Sequence, residues 1–172
     1  MRKNNGQWIL KSRPEGLVER VNFEWREEPI PTIRDGQFLV RNLWLSCDPT
    51  QRPWMQFDTY IPAVPLGDVM YSVSAGQVVE SRHVDFKPGD KVTGAWGWQD
   101  YAVTDGSGLV PATKIPAGVD FPTALSLFGI TGLRVIWDDT HGLNEHERYA
   151  LELAEERNHL HRSSSVVFAA AA

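Results

Sequence analysis

Few side chains in this sequence fall into patterns that chemistry uses. Cys47 is the only thiol, so neither a disulfide framework nor a cysteine-rich zinc site can be built from the chain. His146-Glu147 opens the H-E-x-x-H pattern that puts zinc ligands on one helix face, but Ala150 stands where the second histidine belongs. His159 and His161 read as a solvated helix end rather than a metal site. Phosphate loops are also incomplete. Gly106-Ser107-Gly108 begins a G-x-G-x-x-G fingerprint, yet Pro111 takes the place of its third glycine. Gly94-Ala95-Trp96-Gly97 has the wrong spacing, and G-x-x-x-x-G-K-[ST] is absent. Two short segments remain. Asp48-Pro49-Thr50-Gln51-Arg52 groups a carboxylate, a hydroxyl and a guanidinium; as plain local structure it is an Asp-Pro turn after a strand, with Asp48 bonding nearby backbone N–H groups. Gly129-Ile130-Thr131-Gly132 joins small residues to a hydroxyl, which suits close approach to a ligand or helix–helix packing. Trp54, Tyr60, Trp96 and Trp98 are core material or the walls of an apolar cleft.

The chain that must position these residues has 172 residues, enough for one domain with an appendage and for a core that needs no staples. Apolar residues at 42% and charged residues at 23% exclude wholesale disorder. No apolar run reaches the length of a membrane-spanning helix, and Met-Arg-Lys-Asn-Asn-Gly has no apolar signal core. A net charge of −5 without a basic run argues against nucleic acid, because nothing neutralises phosphates. The expectation is a soluble cytoplasmic protein with no nucleic-acid or membrane partner.

These averages conceal a break. All 11 prolines precede residue 123, and 13 of the 14 glycines precede residue 133, whereas four of the five histidines follow it. Before the break, short β-type runs alternate with turn signals. Gln7–Lys11, Val21–Trp25, Gln37–Leu45, Val73–Glu80, Lys91–Gly94, Gln99–Val103 and Gly108–Val110 are the expected strands, and Gln37–Leu45 is the expected central one. Glu28-Pro29-Ile30-Pro31 stops the second run, since proline cannot donate to a ladder. In Lys87-Pro88-Gly89-Asp90, proline presets φ and glycine accepts a positive φ, which predicts a tight turn. Pro122 opens a helix through Thr123-Ala124-Leu125-Ser126-Leu127-Phe128. Many short strands at this spacing predict a barrel or sandwich.

The stretch from Gln7 to Leu133 resembles the N-terminal half of a zinc-independent medium-chain dehydrogenase/reductase, and more narrowly the NADPH-dependent double-bond reductases of the alkenal and prostaglandin group. The segments that carry the resemblance begin with Trp8-Ile9-Leu10-Lys11-Ser12-Arg13-Pro14-Glu15-Gly16 and Leu39-Val40-Arg41-Asn42-Leu43-Trp44-Leu45-Ser46. Val64-Pro65-Leu66-Gly67-Asp68-Val69-Met70, Asp85-Phe86-Lys87-Pro88-Gly89-Asp90-Lys91-Val92, Gly97-Trp98-Gln99-Asp100-Tyr101-Ala102-Val103 and Leu127-Phe128-Gly129-Ile130-Thr131-Gly132-Leu133 follow in order. The resemblance implies a mainly β, GroES-like barrel with short helices. It implies NADP(H) as the cofactor of a full-length enzyme and a small apolar enone or alkenal as its substrate. Hydride reaches the β-carbon, charge builds on the carbonyl oxygen, and the site must offer hydrogen-bond donors there. It also implies no zinc: Cys47-Asp48 sits where zinc-dependent relatives place a ligand cysteine, but Gly67-Asp68 replaces their histidine-glutamate pair. Asp48, Thr50 and Arg52 are placed at the active-site mouth, with Trp98 lining the substrate cleft, and Thr131 and Gly132 are placed under the nicotinamide. Many relatives carry tyrosine at the position of Thr50, whose hydroxyl has a shorter reach.

The resemblance stops at Leu133, before any Rossmann domain. The sequence therefore divides into a GroES-like barrel at 1–122, the start of an interdomain helix at 123–137, and an unrelated tail at 138–172, helical from Asn144 to about Asn158 with a low-complexity end at Val166-Val167-Phe168. A truncated or frame-shifted reading frame is the expected cause of the break. The expected function is the substrate-side domain of an NADP-dependent enone reductase, inactive as this chain and unable to bind NADP(H) tightly alone. The alternatives are a non-catalytic barrel binding a small molecule or protein, and a gene fragment without function. An interdomain helix left uncovered would promote self-association or draw the tail over itself.

Overall fold

The computed structural model describes residues 4–108, 110–126 and 166–169. β1 (Asn4–Leu10) and β2 (Phe23–Pro29) form an antiparallel ribbon. Trp8 stands opposite Trp25 in this ribbon, and their rings meet edge to face at 5.2 Å. The ribbon ends at Pro29, as the missing amide proton requires. Val21 and Asn22 belong to a 3-10 turn before β2 rather than to the strand itself.

A six-stranded sheet holds the rest. It contains β3 (Phe38–Cys47), β4 (Val73–Ser81), β5 (Lys91–Ala95), β6 (Tyr101–Thr104) and β7 (Thr113–Lys114) in the order β6-β3-β4-β5-β7, with β8 (Val166–Ala169) added to β3. Every pairing is antiparallel. The central position of β3 follows from its composition. Phe38 and Val40 enter one buried cluster with Val78, Val92, Trp96 and Ala102, while Leu39 enters another with Ile33 and Tyr101. A strand buried on both faces reads as a continuous apolar run. The ribbon is tied to this sheet by bridges between Gln7 and Gln99 and between Ile9 and Val69.

Turn chemistry sets the strand register. Gly89 has φ 97°, and the Asp90 N–H donates to the Lys87 carbonyl at 3.0 Å, which is the expected tight turn. One expected strand is displaced. At Gly108 and Val110 the chain bends instead, with Gly108 at φ 126°, outside the strand region, and the pairing forms later at Thr113–Lys114.

Two short helices complete the described residues. α1 (Gln51–Trp54) follows β3 directly. α2 (Phe121–Ser126) has Pro122 in its first turn and Asp120 before it, whose carboxylate accepts the Thr123 N–H at 2.8 Å. The expected boundary at 122/123 falls inside α2, while the continuation of this helix to 137 and the helix from Asn144 lie outside the described residues. Residues 166–169, at the low-complexity end of the tail, form a strand. Two β-branched valines and a phenylalanine favour extended structure, and β3 offers an edge to pair with. No helix among the described residues is long and apolar enough to cross a membrane.

Candidate functional site

The end of β3 and the loop after it build a cleft. Ser46 is the penultimate residue of β3, and its carbonyl accepts the Gln51 side-chain amide at 2.8 Å and the Ser72 hydroxyl at 2.6 Å. Gln51 also donates to the Ser72 hydroxyl at 3.1 Å. All three residues are buried, so α1 is fixed to β3 through polar groups that water does not reach. The Ser46 hydroxyl donates to the Asp48 carboxylate at 2.5 Å. The Asp48 carbonyl accepts the Gln51 N–H at 3.0 Å, so the turn expected here forms, through the carbonyl rather than the carboxylate.

The cleft encloses about 210 Å³ between Ser46, Asp48, Pro49, Thr50, Trp54, Tyr60, Val73 and Leu125. Its floor and sides are largely apolar, and Leu125 brings α2 into the wall. The Thr50 and Tyr60 hydroxyls lie 3.2 Å apart. The Trp54 ring meets the Tyr60 ring edge-on at 5.9 Å and the Tyr71 ring at 6.2 Å, forming an aromatic side. Tyr60 is exposed at the mouth and Trp54 is buried beneath it.

The residues singled out in the sequence separate here. Asp48 and Thr50 line the cleft, as do Trp54 and Tyr60 of the aromatic candidates. Arg52 does not; its guanidinium donates to the Gly16 carbonyl at 2.8 Å and to the Pro14 carbonyl at 3.0 Å, pinning the 14–16 turn against α1. Arg13 adds a second staple, donating to the Met55 and Val64 carbonyls at 2.5 and 2.7 Å. Trp98 does not line the cleft either. It packs on Phe23 at 5.2 Å and against the buried cluster of Leu10, Trp54, Met55, Ile61, Val64 and Met70. Trp96 is buried in the sheet cluster with Phe38. Thr131 and Gly132 lie outside the described residues. The sequence offered no signal for Ser46, Val73 or Leu125 as a group; the pairing of β3 with β4 brings the first two together, and α2 adds the third.

Burial, and then the neighbouring Asp48 carboxylate, push the Cys47 thiol above its ordinary range. It stays protonated at neutral pH, which suits neither a nucleophile nor a metal ligand. Among the described residues no three histidine, cysteine or acidic side chains gather as a metal site would require. A phosphate cradle does not fit the described residues either. The glycine at φ 86° nearest a helix start is Gly118, and the Asp120 carboxylate already occupies that start.

Comparison with known proteins agrees with this architecture. The family described as the N-terminal domain of oxidoreductase matches residues 6–112. The NADPH-dependent curcumin reductase of Escherichia coli is 37% identical over 132 residues, covering 76% of this chain and 38% of that protein. Rat prostaglandin reductase 1 is 34% identical over 130 residues, covering 73% of this chain and 37% of that protein. The crystal structure of CurA from Vibrio vulnificus superposes with a TM-score of 0.68 at 36% identity, covering 77% of this chain and 39% of that one, and the same protein has been solved in complex with NADPH. The chain thus spans under two fifths of the length of these two curated relatives. With the motifs, the antiparallel β architecture and these matches in agreement, the chain belongs to the oxidoreductase N-terminal-domain family, as the GroES-like N-terminal half of the zinc-independent medium-chain dehydrogenase/reductase type.

Proposed function

We propose that this chain is the substrate-side portion of an NADPH-dependent reductase of α,β-unsaturated aldehydes and ketones, and that it has no turnover by itself. The observation that carries the reading is the pair of hydroxyls, Thr50 and Tyr60, 3.2 Å apart on the wall of a largely apolar cleft. In such a reaction NADPH supplies the hydride, and negative charge develops on the substrate carbonyl oxygen. Two hydroxyls can turn their protons toward that oxygen, and donors aimed at developing charge in a largely apolar site lower the barrier. The short reach of Thr50 is offset by Tyr60, whose phenol meets it from the other side of the mouth. Asp48 holds Ser46 and fixes the lip of the cleft, and Trp54 gives the apolar body of the substrate a flat face. Arg52 serves the site indirectly through the 14–16 turn. The curcumin and prostaglandin reductases among the relatives support this substrate class by analogy.

The test is a chimera in which residues 1–132 precede the nucleotide-binding portion of the Escherichia coli curcumin reductase. Loss of NADPH absorbance with trans-cinnamaldehyde is the expected result, whereas the original chain shows none. Thr50→Val together with Tyr60→Phe is expected to lower kcat/KM of the chimera by roughly 100-fold, the usual loss on removing oxyanion donors. A folded chimera that binds NADPH but reduces no enal would sink the reading and leave a binding module in its place.

A further inference from the structure

β3 is covered unevenly. β4 runs along one edge from Phe38 to Leu45. On the other edge β6 pairs only with Phe38–Arg41, and the Asn42 N–H then donates to the Asp100 carbonyl at 2.8 Å as that partner turns away. Beyond Asn42 this edge would present bare N–H and C=O groups, the template onto which another extended segment adds. Residues 166–169 take that place in antiparallel register: Trp44 opposite Ala169, Leu45 opposite Phe168, Ser46 opposite Val167 and Cys47 opposite Val166.

We propose that the Trp44–Cys47 edge is a strand-addition site, and that residues 166–169 of the same chain occupy it and so buttress the strand end from which the cleft lip is built. The sequence suits the occupant, since Val166-Val167-Phe168 is β-forming and uncharged. Reach does not restrict it, because the 39 residues from 127 to 165 can extend over roughly 130 Å. Attachment within one chain keeps the segment at an effective concentration on the order of millimolar, far above a second copy at ordinary protein concentrations. The consequence concerns Ser46. It stands opposite Val167 of β8, its carbonyl receives Gln51 and Ser72, and its hydroxyl holds Asp48. Loss of the added strand frees one side of the residue on which the cleft lip is built. The inference stands on strand pairing alone and is independent of the reductase reading.

Because Cys47 is the only cysteine, Val166→Cys in the full chain places one new thiol opposite it. Facing residues of an antiparallel pair are about 4.5–5.5 Å apart at Cα, within the range a disulfide spans. Oxidation with diamide is run at alkaline pH, since the Cys47 thiol ionises late. The expected product is an internally crosslinked monomer, seen on a non-reducing gel and by loss of two free thiols. Val167→Cys, one register position away, is expected to crosslink far less. Mainly disulfide-linked dimers, equal crosslinking of the two variants, or no crosslink in Val166→Cys would each overturn the proposal. Phe168→Pro, which takes away the amide opposite Leu45, is expected to speed hydrogen exchange at residues 44–47; unchanged exchange there would count equally against it.

Discussion

The two main apolar clusters of this domain are held in different ways. Around Phe38, the cluster with Val40, Val78, Val92, Trp96 and Ala102 is built mainly by alternation along paired strands, and Phe86 stacks on Phe38 at 4.3 Å. Around Trp54, the cluster with Leu10, Met55, Ile61, Val64 and Met70 draws on the loop between β3 and β4. That loop has little ladder of its own. Its shape rests on side chains that donate to carbonyls: Arg13 to Met55 and Val64, Arg52 to Pro14 and Gly16, Gln51 to Ser46. A sheet satisfies its backbone groups by repetition, whereas a buried loop must satisfy each one separately. The candidate site lies at the second kind of structure, where single residues can reshape it.

The comparison breaks most visibly in the sheet cluster. Phe38→Ala is expected to destabilise the domain by about 3–5 kcal/mol, the usual cost of emptying a fully buried aromatic position. Chemical denaturation measures that loss, and the cleft geometry should survive in whatever fraction remains folded. Gln51→Ala should cost less, about 1–3 kcal/mol, because it removes a buried donor from the Ser46 carbonyl and the Ser72 hydroxyl. Unlike Phe38→Ala, it should raise the KM of the chimera for the enal. An unchanged KM would show that the lip of the cleft does not depend on this staple.

The smallest effect lies at the turn before β5. The Lys114 ammonium, 2.8 Å from Asp90, and then the Lys87 N–H hold the Asp90 carboxyl below the usual carboxylate range. A carboxyl lowered on folding contributes stability above its ordinary pKa and loses it as pH falls through the folded value. Asp90→Asn should therefore cost under about 1 kcal/mol at neutral pH. The gap to the original chain should close below about pH 4. A gap independent of pH, followed by thermal melts across that range, would assign the effect to packing.

The β class, the central place of β3, the Gly89 turn and the start of α2 were legible because each has a local cause: alternation, a continuous apolar run, a positive-φ glycine or a proline in the first turn. The site was legible only in part. Asp48 and Thr50 were placed at the mouth through the family resemblance, and Tyr60 and Trp54 were named as aromatics, but nothing in the chain relates Thr50 to Tyr60 or places Leu125 beside Val73. Arg52 and Trp98, also expected at the site, do not line this cleft; the Arg52 guanidinium bonds the 14–16 turn and the Trp98 ring packs on Phe23.

The sequence by itself determined the class of fold, through local periodicity and turn residues, and pointed to the family, and to where the resemblance ends, through the order of the segments it shares with that family. Tertiary structure alone decided which hydroxyls meet, which guanidinium is occupied, and that Val166–Ala169 lies along β3. Those outcomes depend on groups far apart in the chain competing for the same buried donors, acceptors and strand edge, and no local rule ranks such competitors.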